Sequence, residues 1–158
     1  MPVENLLESL KAKLGGAVAE IHSFRGDETA VIAPEAWLEA AAFLKDELGF
    51  DFLMDLCGAD YLPREPRFEV VCHFYNSKTN ARLRLKARLP GDKPEVDSLA
   101  GLWLSADWFE REAWDMYGID FKGHPDLRRL LMYDSFEGHP LRKDYPLKGR
   151  QPRIDHKD

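Results

Sequence analysis

Strict alternation between apolar and basic side chains over residues 81 to 89 constrains the fold more than any other feature of the sequence. A period of two is that of a β-strand with one buried face. Residues 68 to 75 are rich in β-forming side chains, and the polar segment 76 to 80 fits a hairpin loop between the two strands. The basic face is either a docking surface or a solvated face paired with acidic neighbours, and pairing is the favoured interpretation. Its residues are Arg82, Arg84, Lys86 and Arg88.

Helical spacing appears twice before this hairpin. The apolar residues Val3, Leu7, Leu10 and Leu14 predict a first helix that ends at Gly15. A second helix is predicted from Pro34 to Gly49, with its apolar stripe on Trp37, Ala41, Leu44 and Leu48. Short strands are predicted over residues 18 to 22, 28 to 32 and 52 to 56, and a helical turn over residues 94 to 101.

A third helix is predicted from a capping pattern. Asp107 is a good N-cap residue and Glu110 follows it by three positions, as in a capping box, while Gly118 closes the helix. Arg111 lies four residues from both Asp107 and Asp115, so it is predicted to pair with either along the helix. These elements together predict an α+β fold, with helices packed on a mainly antiparallel sheet.

After Phe121 the sequence loses its periodicity and becomes rich in glycine and proline. We therefore predict an α+β globular domain over residues 1–121 and a long irregular C-terminal extension over residues 122–158, named the tail below. One short helix, near residues 126 to 131, is expected in it. The domain has a net charge of −9 and the tail one of +3. Scattered apolar residues predict that the tail is held against its own domain and a partner.

Several function classes find no support in the sequence. The net charge of −6 gives no reason to expect a nucleic-acid partner. The two cysteines, Cys57 and Cys72, are too few for an iron–sulfur cluster and are expected to be reduced. No apolar run approaches the roughly 20 residues that cross a bilayer, and no nucleotide-binding or nucleophile motif occurs. We expect no catalytic residue and no cofactor in this chain.

Two Gly-His-Pro triplets place His124 and His139 in the tail, and acidic side chains occur nearby at Glu110, Glu112 and Asp115. A metalloenzyme built on these groups is one alternative. Zinc sites gather three or four close ligands, however, and no further ligand stands at a compatible spacing. Hydrogen-bonding histidines and a salt-bridged helix face are the favoured interpretation.

The residues from Glu110 to Pro146 resemble the signature of the 30 kDa-type subunit, also named the C-type subunit, of NADH:quinone oxidoreductase (respiratory complex I). Residues of the signature include the run Glu-Arg-Glu-Ala-Trp-Asp-Met-Tyr-Gly and the later run Gly-His-Pro-Leu-Arg-Lys-Asp-Tyr-Pro. Taken with the preceding α+β domain, the resemblance covers about residues 30 to 148.

The resemblance implies a docking subunit of the hydrophilic arm that carries no redox centre, with FMN and iron–sulfur clusters in partner subunits. Its partners would be the large quinone-site subunit and the iron–sulfur subunits. Membrane contact would come only through the complex, on the cytoplasmic side of the inner membrane. The turn at Gly118 would be braced by Glu110, Arg111, Glu112 and Asp115. The loop would be anchored by His124, Pro125, Arg128 and Arg129. The partner would be engaged by Gly138, His139, Pro140, Leu141, Arg142, Lys143, Asp144 and Tyr145.

Two further alternatives stay open at this point. The equivalent subunit of a membrane-bound hydrogenase, or of another dehydrogenase that does not use NADH, would share the same signature. An interaction module of an unrelated complex would order its tail on some other partner.

Overall fold

The structure, a computed structural model, describes residues 4–149 and 151. Val3, the first residue of the predicted stripe, lies outside this part of the chain. The helices are α1 (Glu4–Leu14), α2 (Trp37–Asp46) and α3 (Leu104–Tyr117). The strands are β1 (Val18–Phe24), β2 (Asp27–Ile32), β3 (Phe52–Asp60), β4 (Phe68–Asn76), β5 (Ala81–Leu89), β6 (Glu95–Asp97) and β7 (Asp120–Lys122). Short 3-10 turns precede β1 and α2.

Five strands form one sheet in the order β1-β2-β5-β4-β3. The β1–β2, β5–β4 and β4–β3 pairs are antiparallel, and β2 runs parallel to β5. The predicted hairpin is the β4–β5 pair, in register from Phe68 opposite Leu89 to Asn76 opposite Ala81. Strands β6 and β7 form a separate parallel pair. The predicted α+β class with a mainly antiparallel sheet is confirmed.

One face of the sheet and all three helices enclose the core. The alternate residues of β4 and β5 that face each other, such as Cys72 and Leu85, are buried together with Leu10 of α1, Trp37 of α2 and Ala113 of α3. The period-two pattern of β5 therefore identifies its buried side correctly, since its four leucine and alanine positions from 83 to 89 all lie in this core.

The basic face of β5 is paired with acidic neighbours, as the favoured interpretation predicted. Arg88 lies 2.8 Å from Glu20. The almost fully buried carboxylate of Glu69 lies 3.5 Å from both Arg88 and Lys86. Burial opposes ionisation of Glu69, but its cationic neighbours outweigh burial, so the pKa of this carboxyl lies below its ordinary value. Arg84 lies 3.5 Å from Asp27, so three of the four cations have carboxylate partners, whereas Arg82 lies over the Tyr75 ring.

Helix α3 begins at Leu104, earlier than the capping pattern predicted. Its N-cap residue is Trp103, which makes no side-chain capping bond, so the predicted capping box on Asp107 and Glu110 is wrong. The predicted pairing of Arg111 along the helix is also wrong, because Arg111 donates to backbone carbonyls of the tail instead. Gly118 ends the helix as predicted, in the left-handed conformation with φ of 73°.

Other local predictions failed where elements are short or set by distant contacts. Residues 94 to 101 contain strand β6 rather than a helical turn, and residues 126 to 131 form no helix. Strand β3 continues beyond the predicted end at residue 56, to Asp60. Strand β7 was not predicted, and it spans the proposed boundary between residues 121 and 122. The division into a domain and a tail itself stays a prediction.

Candidate docking site

Asp115, a fully buried carboxylate on α3, binds the first part of the tail. One of its oxygens accepts hydrogen bonds from the backbone N–H groups of Leu130, Leu131 and Met132, at 3.0, 2.8 and 2.9 Å. The other accepts from Arg129 at 2.7 Å. Burial opposes ionisation of Asp115, but these four donors outweigh it and hold the pKa of the carboxyl below its ordinary value. The tail backbone is thus fixed to an anion inside the domain.

Two arginines complete this contact. Arg111 donates to the carbonyls of Arg128 and Arg129 at 3.3 and 3.2 Å, and its guanidinium lies over the Trp108 ring. Arg129 donates onward to the carbonyls of Phe136 and Gly138, at 2.7 and 3.1 Å. Both side chains therefore satisfy backbone acceptors of an irregular segment, which is how a chain without helix or sheet pairing can be held in one conformation.

Glu110 lies before Asp115 on the same helix and is also fully buried. It accepts hydrogen bonds from the Ser98 hydroxyl at 2.5 Å and from the Leu99 N–H at 2.6 Å. Burial dominates here and raises the pKa of Glu110 to about 7. This residue therefore fixes the loop before α3, while Asp115 fixes the tail after it.

His124 marks the start of the tail, where its ring is enclosed beside Glu110. Its Nδ1 accepts from the Asp126 N–H at 3.0 Å, and its Nε2 lies 3.1 Å from the Asp107 carbonyl and 3.9 Å from the Glu110 carboxylate. An Nδ1 that accepts leaves the ring proton on Nε2, where it can donate to the carbonyl. Both nitrogens of this histidine are engaged inside the protein.

The second Gly-His-Pro triplet closes the C-terminal end of α3. His139 Nδ1 lies 3.0 Å from the Asp115 carbonyl, and the Leu141 N–H donates to the Met116 carbonyl at 3.1 Å. Carbonyls in the last turn of a helix have no partner within it, so the tail supplies donors that the helix lacks. The His139 ring also lies against Gly118, where an added Cβ would come within 2.7 Å of two ring atoms.

A third contact joins the tail to the loop between β3 and β4. Arg67, buried, donates two hydrogen bonds to Asp60 at 2.8 and 2.7 Å and two to Asp144 of the tail at 2.9 and 2.8 Å. The Lys143 N–H also donates to Asp60, at 2.7 Å. The bonds from Arg67 hold the pKa of both carboxyls below their ordinary values. Bidentate arginine–carboxylate pairs are strong and fix the relative position of their two residues. Arg67 therefore determines where the segment of the tail with Asp144 lies.

Beyond this point the tail packs on itself. The Tyr145 ring stacks on Phe136 at 6.1 Å between centroids and lies against Gly138, whose φ is +90°. The side chain of Gln151 bonds to Glu137 and to the Tyr145 hydroxyl. Two of the residues assigned to the partner by resemblance, Gly138 and Tyr145, therefore make contacts within this chain.

The outward side of the described tail carries apolar and basic side chains. Leu131, Leu141 and Leu147 are 58%, 53% and 100% exposed. The resemblance assigned sixteen residues to the turn, the loop and the partner contact. Of these, the exposed ones are Glu112, Pro125, Arg128, Gly138, Leu141, Lys143 and Asp144. Pro140, Arg142 and Tyr145 are half-buried. Arg128 pairs with Asp126 at 2.7 Å.

Three residues of the site were not predicted. Asp60 and Arg67 are neighbours across a loop with Pro63 and Pro66, and Ser98 lies in the loop before α3. Two opposite charges that flank a proline-rich loop are a weak sequence signal for a buried pair. The bond from Arg67 to the tail spans 77 residues and leaves no trace in local spacing.

The metalloenzyme alternative gains no support from this arrangement. The nitrogens of His124 and Nδ1 of His139 face backbone groups. Within residues 4–149 and 151, no group of three or more histidine, cysteine, aspartate or glutamate side chains could hold a metal ion. None of the helices in the described part of the chain is long and apolar enough to cross a membrane.

Comparison with known proteins confirms the resemblance. The model of the family described as the 30 kDa subunit of respiratory-chain NADH dehydrogenase matches residues 30–151, and the chain belongs to this family. The C 2 subunit of NADH-quinone oxidoreductase from Rhizobium meliloti (strain 1021) is 47% identical over 151 residues, which cover 94% of this chain and 82% of that protein.

Two other matches agree with this assignment. A solved structure described as Nqo5, the trypsin-resistant fragment (1-134), is 35% identical with a TM-score of 0.71 and covers 80% of this chain and 100% of that one. The C/D subunit of NADH-quinone oxidoreductase from Bdellovibrio bacteriovorus (strain ATCC 15356 / DSM 50701 / NCIMB 9529 / HD100) is 45% identical over 152 residues. The match covers 93% of this chain but only 27% of that longer protein.

Proposed function

We propose that this chain is a cofactor-free docking subunit in the hydrophilic arm of NADH:quinone oxidoreductase. Its tail would bind the large quinone-site subunit and bring the chain beside the iron–sulfur subunits. Electron transfer from NADH to quinone would use the FMN and iron–sulfur clusters of those partners. The chain would reach the cytoplasmic side of the inner membrane only as a peripheral part of the complex.

The observation that supports this proposal most is that the domain binds polar groups of the tail while three leucines of the tail stay exposed. Asp115 and Arg67, both buried in the domain, form hydrogen bonds with polar groups of the tail. The leucines at 131, 141 and 147 stay exposed on a backbone held in place. A monomer gains nothing by presenting apolar side chains to water from a fixed segment, whereas a binding surface gains affinity from being ordered beforehand.

The joint name of the Bdellovibrio relative supports a direct contact with another subunit of the complex. That protein contains a region similar to nearly all of this chain within one polypeptide, which carries the double designation C/D. Two subunits that occur in one polypeptide are held close together, which agrees with a direct contact between this chain and a D-type subunit. The names of the relatives also favour the NADH-linked complex over the hydrogenase alternative.

The proposal is tested with a tagged full-length chain captured from gently solubilised membranes. Lys143→Glu reverses an exposed charge and leaves the backbone bond from Lys143 to Asp60 available. We expect the wild-type chain to retain the quinone-site and iron–sulfur subunits, detected by mass spectrometry. The variant should retain less of them, because charge reversal at a contact weakens association. Lys78→Glu, in the β4–β5 loop, is the matched control and should behave like wild type. Wild-type protein that comes down alone would overturn the proposal.

A further inference from the structure

Arg142 differs from the other buried or half-buried arginines of the tail contact, because its side chain has no hydrogen-bond acceptor within the described part of the chain. Its guanidinium lies 4.9 Å from the centre of the Phe68 ring, the same ring that Arg67 approaches at 4.7 Å. Its Nε is shielded from solvent and donates to none of the described residues. The side chain as a whole is 26% exposed, so part of the guanidinium still faces outward.

The nearby carboxylates are already used by other donors. Asp144 Oδ1 lies 3.8 Å from Arg142 Nε, beyond hydrogen-bonding distance, and both oxygens of Asp144 accept from Arg67. Each oxygen of Asp60 accepts from Arg67 and from a backbone N–H as well. The local network therefore satisfies Arg67 and leaves Arg142 as a cation with donors still to be paired.

A half-buried guanidinium without an acceptor is unfavourable, since its polar N–H groups lose water and gain nothing in return. The planar guanidinium of arginine binds a carboxylate through two parallel hydrogen bonds, and such a bidentate pair tolerates partial burial. The contact with the Phe68 ring restricts the guanidinium before any ligand arrives, which lowers the entropic cost of binding.

Neither sequence neighbour of Arg142 carries a carboxylate. Leu141 is 53% exposed and apolar, and Lys143 is exposed and basic. The tail has more basic than acidic residues, nine against six. Among the described residues the acid beside Arg142 is Asp144, which lies 3.8 Å away and accepts from Arg67 at both oxygens. A carboxylate of another polypeptide is therefore the ligand that fits this guanidinium best, and it would arrive next to an apolar contact with Leu141.

We propose that Arg142 is the recognition site for an aspartate or glutamate side chain of the partner subunit, with Leu141 packing on an apolar residue beside that acid. The inference rests on the docking function proposed above and goes beyond it by naming the chemistry of the partner surface. Arg67, Arg111 and Arg129 have no such role, because their donors are bound within this chain.

The test compares full-length tagged chains for capture of the partner subunits from solubilised membranes. Arg142→Gln should lower the retained partner about 10- to 100-fold, as expected for losing hydrogen bonds to a charged group. Arg142→Lys keeps the charge but loses the planar guanidinium, so it should retain less partner than wild type and more than Arg142→Gln. Arg82→Gln makes the same change at an exposed arginine on the basic face of β5 and should capture like wild type. Circular dichroism verifies that each variant is folded.

Arg142→Gln that captures as well as wild type overturns this inference while the docking function stands. A wild-type chain that captures no partner overturns both. A second measurement uses carbodiimide coupling, which joins an amine to a carboxylate, on the complex of Arg142→Lys. An amide between position 142 and an acidic residue of the partner supports the inference, and coupling only to acids of this chain, such as Asp144, contradicts it.

Discussion

Two buried carboxylates on α3 show how the same chemical group acquires opposite properties from its surroundings. Asp115 has four donors, one of them a cation, and stays ionised in spite of burial. For Glu110 burial prevails and raises the pKa to about 7, since its two donors are neutral and its neighbour Asp107 is acidic. The number and charge of the donors therefore decide which buried acid carries a proton near neutral pH.

This difference predicts how stability depends on pH. Between the ordinary value of 4.5 and about 7, folded Glu110 binds more protons than the unfolded chain, so the free energy of unfolding falls as pH rises. Glu110→Gln removes this titration. The variant should gain stability relative to wild type between about pH 5 and about pH 8, by up to about 3 kcal/mol. Denaturant unfolding at three pH values measures the gap.

Glu112→Gln, on the exposed side of the same helix, is the matched control and should open no such gap. The lowered pKa of Asp115 acts with the opposite sign, because its contribution is lost as pH falls through the acid range. The two effects therefore occupy different pH windows. A gap between Glu110→Gln and wild type that stays constant with pH would contradict the prediction.

At the scale of elements, α3 organises the site because it offers partners along its length and at its C-terminal end. Sequence patterns predicted its end at Gly118 but misplaced its start. The Asp-x-x-Glu spacing fits a capping box, yet Glu110 is drawn inward by Ser98 and the Leu99 N–H, a contact between elements that local spacing does not reveal. Periodic strands such as β5 were predicted well, whereas the three-residue strands β6 and β7 are too short to show a period.

The close approach of His139 to the end of α3 makes Gly118 sensitive to substitution. Gly118→Ala adds a Cβ 2.7 Å from the ring and also strains a left-handed backbone position. Gly123→Ala is the matched control, because its φ is +78° and an added Cβ would meet nothing within 4 Å. The first variant should therefore lose about 1–3 kcal/mol more unfolding free energy than the second, by displacement of the ring. Equal losses in denaturant unfolding would show that the ring moves aside freely.

At the scale of the whole molecule, the signature in the sequence pointed to the family and the tail, but not to how the tail is held. Besides its contacts with α3, the tail binds Asp60 and Arg67, which stand at the two ends of the loop between β3 and β4 and belong to no motif. Several residues assigned to the partner by resemblance, such as His139 and Asp144, also bind within the chain. A sequence motif identifies a group of residues, but it does not predict which residue each of them contacts.

Arg67 connects the domain to the tail, so its replacement should release the segment around Asp144. Arg67→Lys keeps one positive charge but cannot donate in pairs to Asp60 and Asp144 at once. Cleavage by trypsin after Arg142 and Lys143 requires this segment to open, and its rate follows the population of the open form. We expect the initial rate to rise about 10- to 100-fold, the loss of charged hydrogen bonds expressed as a change in population.

Arg88→Lys is the control for that experiment. Arg88 lies on the basic face of β5, pairs with the partly exposed Glu20 of β1 and touches no part of the tail contact. It leaves the number of trypsin sites unchanged, as Arg67→Lys does. Faster cleavage after residues 142 and 143 in Arg67→Lys alone would mean that the domain orders the tail before any partner binds. Equal rates in both variants and wild type would mean that the segment around Asp144 opens independently of Arg67, which would contradict the prediction.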